Sequence, residues 1–276
     1  MTGVLTLVAT PIGNLGDLSP RAIEALRSAD VVCCEDTRRT GLLLQHAGIA
    51  KKRLMRCDEH TEFGLIPEVI RLLAEGKRVA VVSDAGTPGI SDPGERLVTA
   101  AVDAGFAVST IPGPAALIAA LVVSGLPTDR FVFEGFLSRK AAERTQHLQR
   151  LADERRTMVF YEAPHRLVAT LKALAAAFGF DRPAALVREF TKMHEEVVRG
   201  QLGQLVDHEP RGEYVIVVGG APLVVVELTD KVLAEAIDEA LASGLSRRDA
   251  AAAVATRLGI SKNVAYTAAV KSVALD

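Results

Sequence analysis

The chain predicts an α/β fold: a parallel sheet in a first domain, a mixed sheet in a second, and a helical, helix-turn-helix-like tail. Three observations carry that prediction. Through the first 124 residues, a short apolar run, a loop rich in glycine or proline and an amphipathic stretch recur about five times, the rhythm of strands joined by crossover helices. Runs such as V-A-V-V (79–82) are unbroken rather than alternating, which suits strands buried on both faces. After residue 130 strands outnumber helices, which favours a mixed sheet. The expected divisions are 1–124, 130–222 and 228–276, with G-L-P-T-D (125–129) as linker.

In the first domain, strands are expected at 4–9, 31–34, near Leu54, at 79–82 and at 107–111. Helices are expected from Pro20 behind a Ser19 cap, at 41–46, at about 62–75, up to Ala104 and up to Ser124. The loop after 79–82 reads S-D-A-G-T-P-G-I-S-D-P-G. Gly86 and Gly89 permit positive φ or close approach to a ligand, and Pro88 stiffens the turn. Ser91 is expected as N-cap, with Pro93 in the first helical turn. Right-handed crossovers bring every strand-to-helix loop to one sheet edge, where open α/β sheets bind ligands. T-P-I-G-N-L-G-D, E-D-T-R-R-T, D-A-G-T-P-G and P-G-P-A-A should therefore share one crevice.

The second domain is expected to hold strands at 131–134, 157–161, 184–188, up to Val198 and at 213–218, with helices at about 139–155 and 167–178. In the tail, helix 230–242 precedes a second helix opened by S-R-R-D, which turns at Gly259 and restarts at Ser261. Arg247, Arg248, Arg257, Lys262 and Lys271 would let that tail touch nucleic acid; a packed helical unit with a solvated basic face is the equal alternative.

Composition narrows the class. Hydrophobic residues make up 49% of the 276 and aromatics only 4%, so the core must be built from Ala, Leu and Val. The net charge of −2 advertises no general nucleic-acid surface, though residues 138–156 are locally basic. Cys33, Cys34 and Cys57 lack metal-ligand spacing and read as buried thiols in a reducing compartment, so no metal is expected. No signal peptide is expected, and the longest apolar stretch, 112–127, is broken by Gly, Pro and Ser. These features point to a cytoplasmic protein with no membrane contact.

The chemistry is less determined. There is no G-x-G-x-x-G, Walker or G-x-S-x-G motif, which disfavours NAD, P-loop and serine-hydrolase readings. The crevice offers constrained backbone and carboxylates, suited to a polar cofactor of medium size. Asp84 could pair with a ligand ammonium or hydroxyl. Glu35 and Asp36, beside Arg38 and Arg39, are either a base with an anion anchor or an ion-pair network at a strand end. His60 and His165 read as surface or structural. Arg188, Glu189 and Lys192 could hold substrate or simply end a strand.

Taken together, V-A-T-P-I-G-N-L-G-D, E-D-T-R-R-T-G-L-L-L-Q-H, V-S-D-A-G-T-P-G-I-S-D-P-G, P-G-P-A-A, G-L-P-T-D-R-F, E-G-F-L, F-Y-E-A-P-H-R and R-E-F-T-K closely resemble the ribosomal RNA small subunit methyltransferase I family, a branch of the tetrapyrrole-methylase superfamily. The resemblance spans nearly the whole chain. It implies two α/β domains with S-adenosylmethionine bent in the cleft between them, and a homodimer. It also implies methyl transfer to the ribose 2′-hydroxyl of a cytidine in the decoding region of 16S ribosomal RNA, on the small ribosomal subunit. Carried over, the cofactor contacts fall on Pro11, Ile12, Gly13, Asp84, Gly86, Thr87, Pro112, Gly113, Ala115, Ala116, Tyr161 and Glu162. The wider superfamily often has G-x-G-P-G-D at the first loop and a Ser after P-G-x. This chain has T-P-I-G-N-L-G-D and Ala115, which argues against a porphyrin substrate. Glu35, Asp36 or His60 is then the expected base, and Arg38 a phosphate or ribose anchor. A tetrapyrrole methyltransferase, a non-catalytic RNA-binding module and, weakened by the missing fingerprint, an NAD-dependent enzyme are the alternatives.

Overall fold

The computed structural model describes residues 3–222 and 229–271. The first sheet takes its strands from β1 (Val4–Val8), β2 (Val31–Cys34), β3 (Arg53–Arg56), β4 (Arg78–Val81) and β5 (Ala107–Ile111), in the order β3-β2-β4-β1-β5, all parallel. The run at the heart of the sequence therefore becomes the middle strand. Successive residues leave it on opposite faces. Val79 and Val81 join Leu5, Val31 and Cys33 beneath α3 (Glu62–Ala74) and α4 (Glu95–Asp103). Ala80 and Val82 join Val8, Val32 and Cys34 beneath α1 (Pro20–Ser28) and α2 (Thr37–His46). Helices on both faces explain why these strands are apolar throughout. The three cysteines are buried and unpaired.

The second sheet is mixed. β6 (Phe131–Phe136) lies parallel to β7 (Thr157–Glu162), while β10 (Tyr214–Val218), β8 (Pro183–Arg188) and β9 (Glu196–Gln201) continue antiparallel, in the order β6-β7-β10-β8-β9. One face buries Met158, Phe160, Leu186 and Ile216 against α6 (Ala141–Arg150), α7 (Leu167–Phe178) and the short α8 (Leu202–Leu205). The other face is covered by α5 (Ala116–Val123), whose Leu117, Ala120 and Leu121 pack on Val159, Val187, Val215 and Val217. Although α5 directly succeeds the first sheet in sequence, its apolar contacts are to the second. The chain thus passes from one sheet to the other at 112–115, ahead of the 125–129 linker.

Three helices differ from expectation in their bounds, and α2 starts at Thr37 rather than 41 because Asp36 caps it there. The charged helix is Ala141–Arg150, shorter than 139–155, because hydrogen-bonded turns take over from Leu151. The helix after the central loop starts at Glu95, with Gly94 as N-cap, and Ser91 caps nothing. Gly94 has φ +138°, and its backbone packs against Gly89, which has φ +83°. The missing cap comes from outside the loop: buried Glu62 of α3 accepts from the amides of Gly94 (2.9 Å), Arg96 (3.1 Å) and Leu97 (3.3 Å). A carboxylate at a helix N-terminus satisfies orphan donors and the helix dipole together.

The C-terminal residues form a separate compact unit from Pro222. Its helices α9 (Asp230–Ala242), α10 (Arg247–Leu258) and α11 (Lys262–Lys271) share a core of Leu233, Ile237, Ala251, Val254, Ala265 and Ala269. Ser246 caps α10, accepting from the Asp249 amide at 3.2 Å, and Gly259 ends it in the left-handed region. Arg247, Arg248 and Lys262 are exposed. Arg257 pairs with Glu239 at 2.9 Å. No described helix is long and apolar enough to cross a membrane.

Candidate active site

The loops at the carboxyl edge of the first sheet are tied to one another by backbone. The Thr10 amide donates to the Gly86 carbonyl (2.8 Å), the Gly86 amide returns the bond to Thr10 (3.1 Å), and the Thr10 hydroxyl donates to the Ser83 carbonyl (3.1 Å). Thr87 Oγ1 then donates to the Pro114 carbonyl at 3.0 Å, joining the central loop to the one after β5. Gly86 is favoured as glycine by its backbone, and a side chain there would also crowd its neighbour. Its φ is +92°, and a Cβ there would lie 3.2 Å from Ile12 Cγ2. Gly113 passes so close to β1 that an added Cβ would stand 2.9 Å from that of Ala9.

Between these loops and the second sheet lies a cavity of about 330 Å³. Its first wall is formed by Ile12, Gly86, Thr87, Ile90, Asp92 and the start of α5. Its second wall is Phe136, Tyr161, Glu162, Val187, Phe190 and Val215. Tyr161 stitches the two together, its hydroxyl accepting from the Leu117 amide at 3.2 Å. Its ring meets Phe133 and Phe136 edge-on, with centroids 4.9 and 5.5 Å away. Glu162 is buried and turned into its own domain: its carboxylate accepts from Thr170, from the Ala163 amide (2.9 Å) and pairs with Arg166 (3.3 Å). Lys192 lies at the far end, bridging Glu189 (3.2 Å) and Glu213 (3.1 Å).

Beside the cavity, four carboxylates gather at the ends of the middle strands. The Asp84 amide donates to Glu35 Oε1 and the Asp36 amide to Asp84 Oδ1, each at 3.1 Å. Burial raises the Glu35 carboxyl above its ordinary range. Asp36 is held below that range, chiefly because its side chain accepts from the Arg38 amide (2.7 Å) and so caps α2. Burial, reinforced by the Glu35 charge, pushes Asp92 up to about 7. Arg39 is the cation nearest Asp84, at 3.5 Å, and it is largely exposed.

Seven of the expected cofactor contacts line the cavity, Ile12, Gly86, Thr87, Ala115, Ala116, Tyr161 and Glu162, and so do Glu189 and Lys192 of the expected substrate holders. Pro11 and Asp84 line an adjoining recess of about 250 Å³ with Thr10, Ser83 and Arg39. Gly13 abuts Lys192, and Pro112 and Gly113 form the exposed crossing below. Glu35 and Asp36 sit behind Asp84. Arg38 and His60 are exposed and line neither cavity; the His60 amide closes a turn on Asp58 at 3.0 Å. Asp92 and Phe136 did not stand out in the sequence. Asp92 carries a readable signal, a second carboxylate in the most constrained loop of the chain. Phe136 lies within E-G-F-L, one of the motifs of the resemblance, but its place at the cavity depends on a bulge that the motif does not announce.

Comparison with known proteins accords with this geometry. The family model of the Tetrapyrrole (Corrin/Porphyrin) Methylases matches residues 4–206. The protein named ribosomal RNA small subunit methyltransferase I in Synechocystis sp. is 46% identical over 269 residues, covering 96% of each chain. The protein of that name in Pseudomonas aeruginosa is 45% identical over 98% of this chain and 97% of its own. The chain belongs to the ribosomal RNA small subunit methyltransferase I family of tetrapyrrole methylases. Among solved structures, the methyltransferase CobJ shares the fold at a TM-score of 0.59 and 23% identity, covering 79% of this chain and 93% of its own. Uroporphyrin-III-C-methyltransferase from Thermus thermophilus does so at 0.57 and 24%, over 79% and 95%. Membership makes the chain a methyltransferase that acts on ribosomal RNA.

Proposed function

We propose that this protein transfers a methyl group from S-adenosylmethionine to the ribose 2′-hydroxyl of a cytidine in the decoding region of 16S ribosomal RNA. The observation that carries the reading is the cavity between the two sheets, in a chain about 45% identical end to end to proteins named as ribosomal RNA small subunit methyltransferases. The walls fit the cofactor. Gly86, Thr87, Ala115 and Ala116 offer backbone groups in fixed positions, while Ile12, Ile90, Leu117 and Val187 offer apolar surface for a nucleoside. Pro11, Gly13, Asp84, Pro112, Gly113, Tyr161 and Glu162 complete the proposed set, several of them by holding the walls in register. When bound, the cofactor supplies a methyl group on a cationic sulfur and a neutral thioether as leaving group.

What remains for the protein is to position the ribose and accept its proton. Of the three expected bases we retain Glu35, which sits behind Asp84 and, like the other two, lines neither cavity, so that the ribose would have to reach it past Asp84. The Glu35 carboxyl is half-buried with a raised pKa, whereas Asp36 is occupied as a helix cap and His60 stands in an exposed turn. The 2′-hydroxyl proton passes to the Glu35 carboxylate as the new O–C bond forms and the methyl–sulfur bond breaks, and Arg38, exposed outside both cavities, serves as a phosphate anchor. Glu35→Gln is expected to lower kcat by about 10²- to 10⁴-fold with cofactor affinity unchanged; unaltered turnover would remove Glu35 from this role.

We further propose a cytoplasmic homodimer acting on the small ribosomal subunit. Ile118 and Val122, exposed one turn apart on α5, are apolar surface that a second copy would cover. Residues 1–124 and 130–222 would carry the reaction, and 228–276 would contact RNA. The deciding experiment is methyl transfer from labelled cofactor to small subunits of a strain lacking the protein, mapped by ribose-methylation-sensitive primer extension. One 2′-O-methyl stop in the decoding region is expected. Label on a base, or none, would overturn the proposal.

A further inference from the structure

Phe136 is the large apolar side chain at the cavity mouth that the fold goes out of its way to place. Strict alternation along β6 would put Phe133 on one face of the sheet and Val132, Glu134 and Phe136 on the other. The first three obey. Val132 joins the core under α6 and α7, Glu134 reaches His147 of α6 at 2.8 Å, and Phe133 lies against α5 and Tyr161. Phe136 does not. The β6–β7 register shifts between Phe133 and Gly135, and Gly135 adopts φ +60°, where a side chain would be strained. That bulge reverses the parity of the strand's last residue, so Phe136 arrives on the same side as Phe133, edge-on to Tyr161. The outcome is an aromatic ring that lines the cavity while remaining 55% exposed.

Packing does not require such a ring. It contributes to neither buried core of the second sheet, and it presents an exposed aromatic face to a cavity lined largely by apolar side chains. We propose that Phe136 is the platform on which the target nucleobase stacks, which makes it a substrate-positioning residue of the site. Proteins that bind single-stranded RNA take up unstacked bases on aromatic faces, and a base held in that way fixes the ribose attached to it. The ring is supported from behind by Tyr161, which is itself fixed by the Leu117 amide, so the platform is pre-set. Asp92, in the same cavity, and the solvent-open side leave room for polar contacts to the base edge. The inference rests on the RNA-methylation reading above.

The test uses the full chain, small ribosomal subunits and S-adenosylmethionine. Wild type, F136A, F136L and F136Y are compared for kcat/KM of methyl transfer and, separately, for cofactor Kd by calorimetry. Stacking lost to alanine is expected to reduce kcat/KM roughly 5- to 150-fold, through KM, with the cofactor Kd within about twofold. F136Y should restore most of the loss. F136L, equally apolar but without a π face, should not. Full activity in F136A, rescue by leucine, or a matching loss of cofactor affinity would each overturn the inference; the last would assign the ring to the cofactor. A wild-type protein that binds cofactor yet methylates no RNA would overturn the functional reading itself, and this inference with it.

Discussion

Asp92 combines a carboxyl that prefers its proton with a place on the cavity wall. Its neighbours explain the preference: burial first, then the charges of Glu35 and Asp84, opposed by a hydrogen bond from Ser83, with Tyr161 across the cavity. Because the folded value, about 7, lies above the ordinary 3.8, the native state holds a proton that the unfolded chain releases. The associated stability is complete below the unfolded value and is lost as pH rises through about 7. Asp92→Asn should therefore denature at higher urea than wild type at about pH 8, with the gap narrowing towards about pH 4.5; a gap independent of pH would refute the assignment. The sequence displayed this residue within S-D-P-G but not its condition. Glu35, Asp84 and Asp92 become neighbours only when the loops after β2 and β4 share an edge, and a shifted proton affinity is a property of that assembly. Glycines were easier to read. Gly86 comes after a strand in a loop with proline, and its positive φ is what that composition calls for.

Among the elements, α4 shows how a local rule yields to a distant partner. Ser-Asp-Pro before an apolar stretch is a good helix start by composition, yet the start falls at Gly94 because Glu62 caps it from α3. Glu62→Ala is expected to cost about 2 kcal/mol, since three amides lose a buried charged acceptor, and Glu62→Gln less than half of that. Urea midpoints at constant slope would measure both, and an alanine variant as stable as wild type would show the cap to be idle. Strands were legible wherever burial on two faces kept them apolar, as in β2 and β4. Strand order was not, because V-V-C-C and V-A-V-V carry no mark of which strand lies beside them. The bulge in β6 was equally hidden: a glycine between Glu134 and Phe136 does not announce a change of parity.

At the scale of the molecule, a tail of separate compact helices succeeds the two-sheet body, and its Arg247, Arg248 and Lys262 are exposed. If it contacts RNA as proposed, replacing Arg247, Arg248 and Lys262 with Ala should weaken binding to small subunits and flatten the dependence of log K on log salt by roughly one per lost contact. An unchanged slope would assign the tail to packing. Two sheets and a tail were visible in the changing rhythm of the sequence. The allegiance of α5 was not, since a helix that is apolar nearly all round gives no hint of which sheet receives it. That allegiance has a mechanical corollary. The strand of chain joining the two sheets is Pro112–Gly113–Pro114–Ala115, and Ala115 is also part of the cavity wall. Both ends of α5 are bolted to the second sheet, by Tyr161 at Leu117 and by Arg199 at Val123 and Ser124. A swing of one sheet against the other would bend the chain at 112–115, beside the cavity wall, where two prolines limit the arc. A ligand seated against Ala115 would then stiffen the same hinge that the two sheets share.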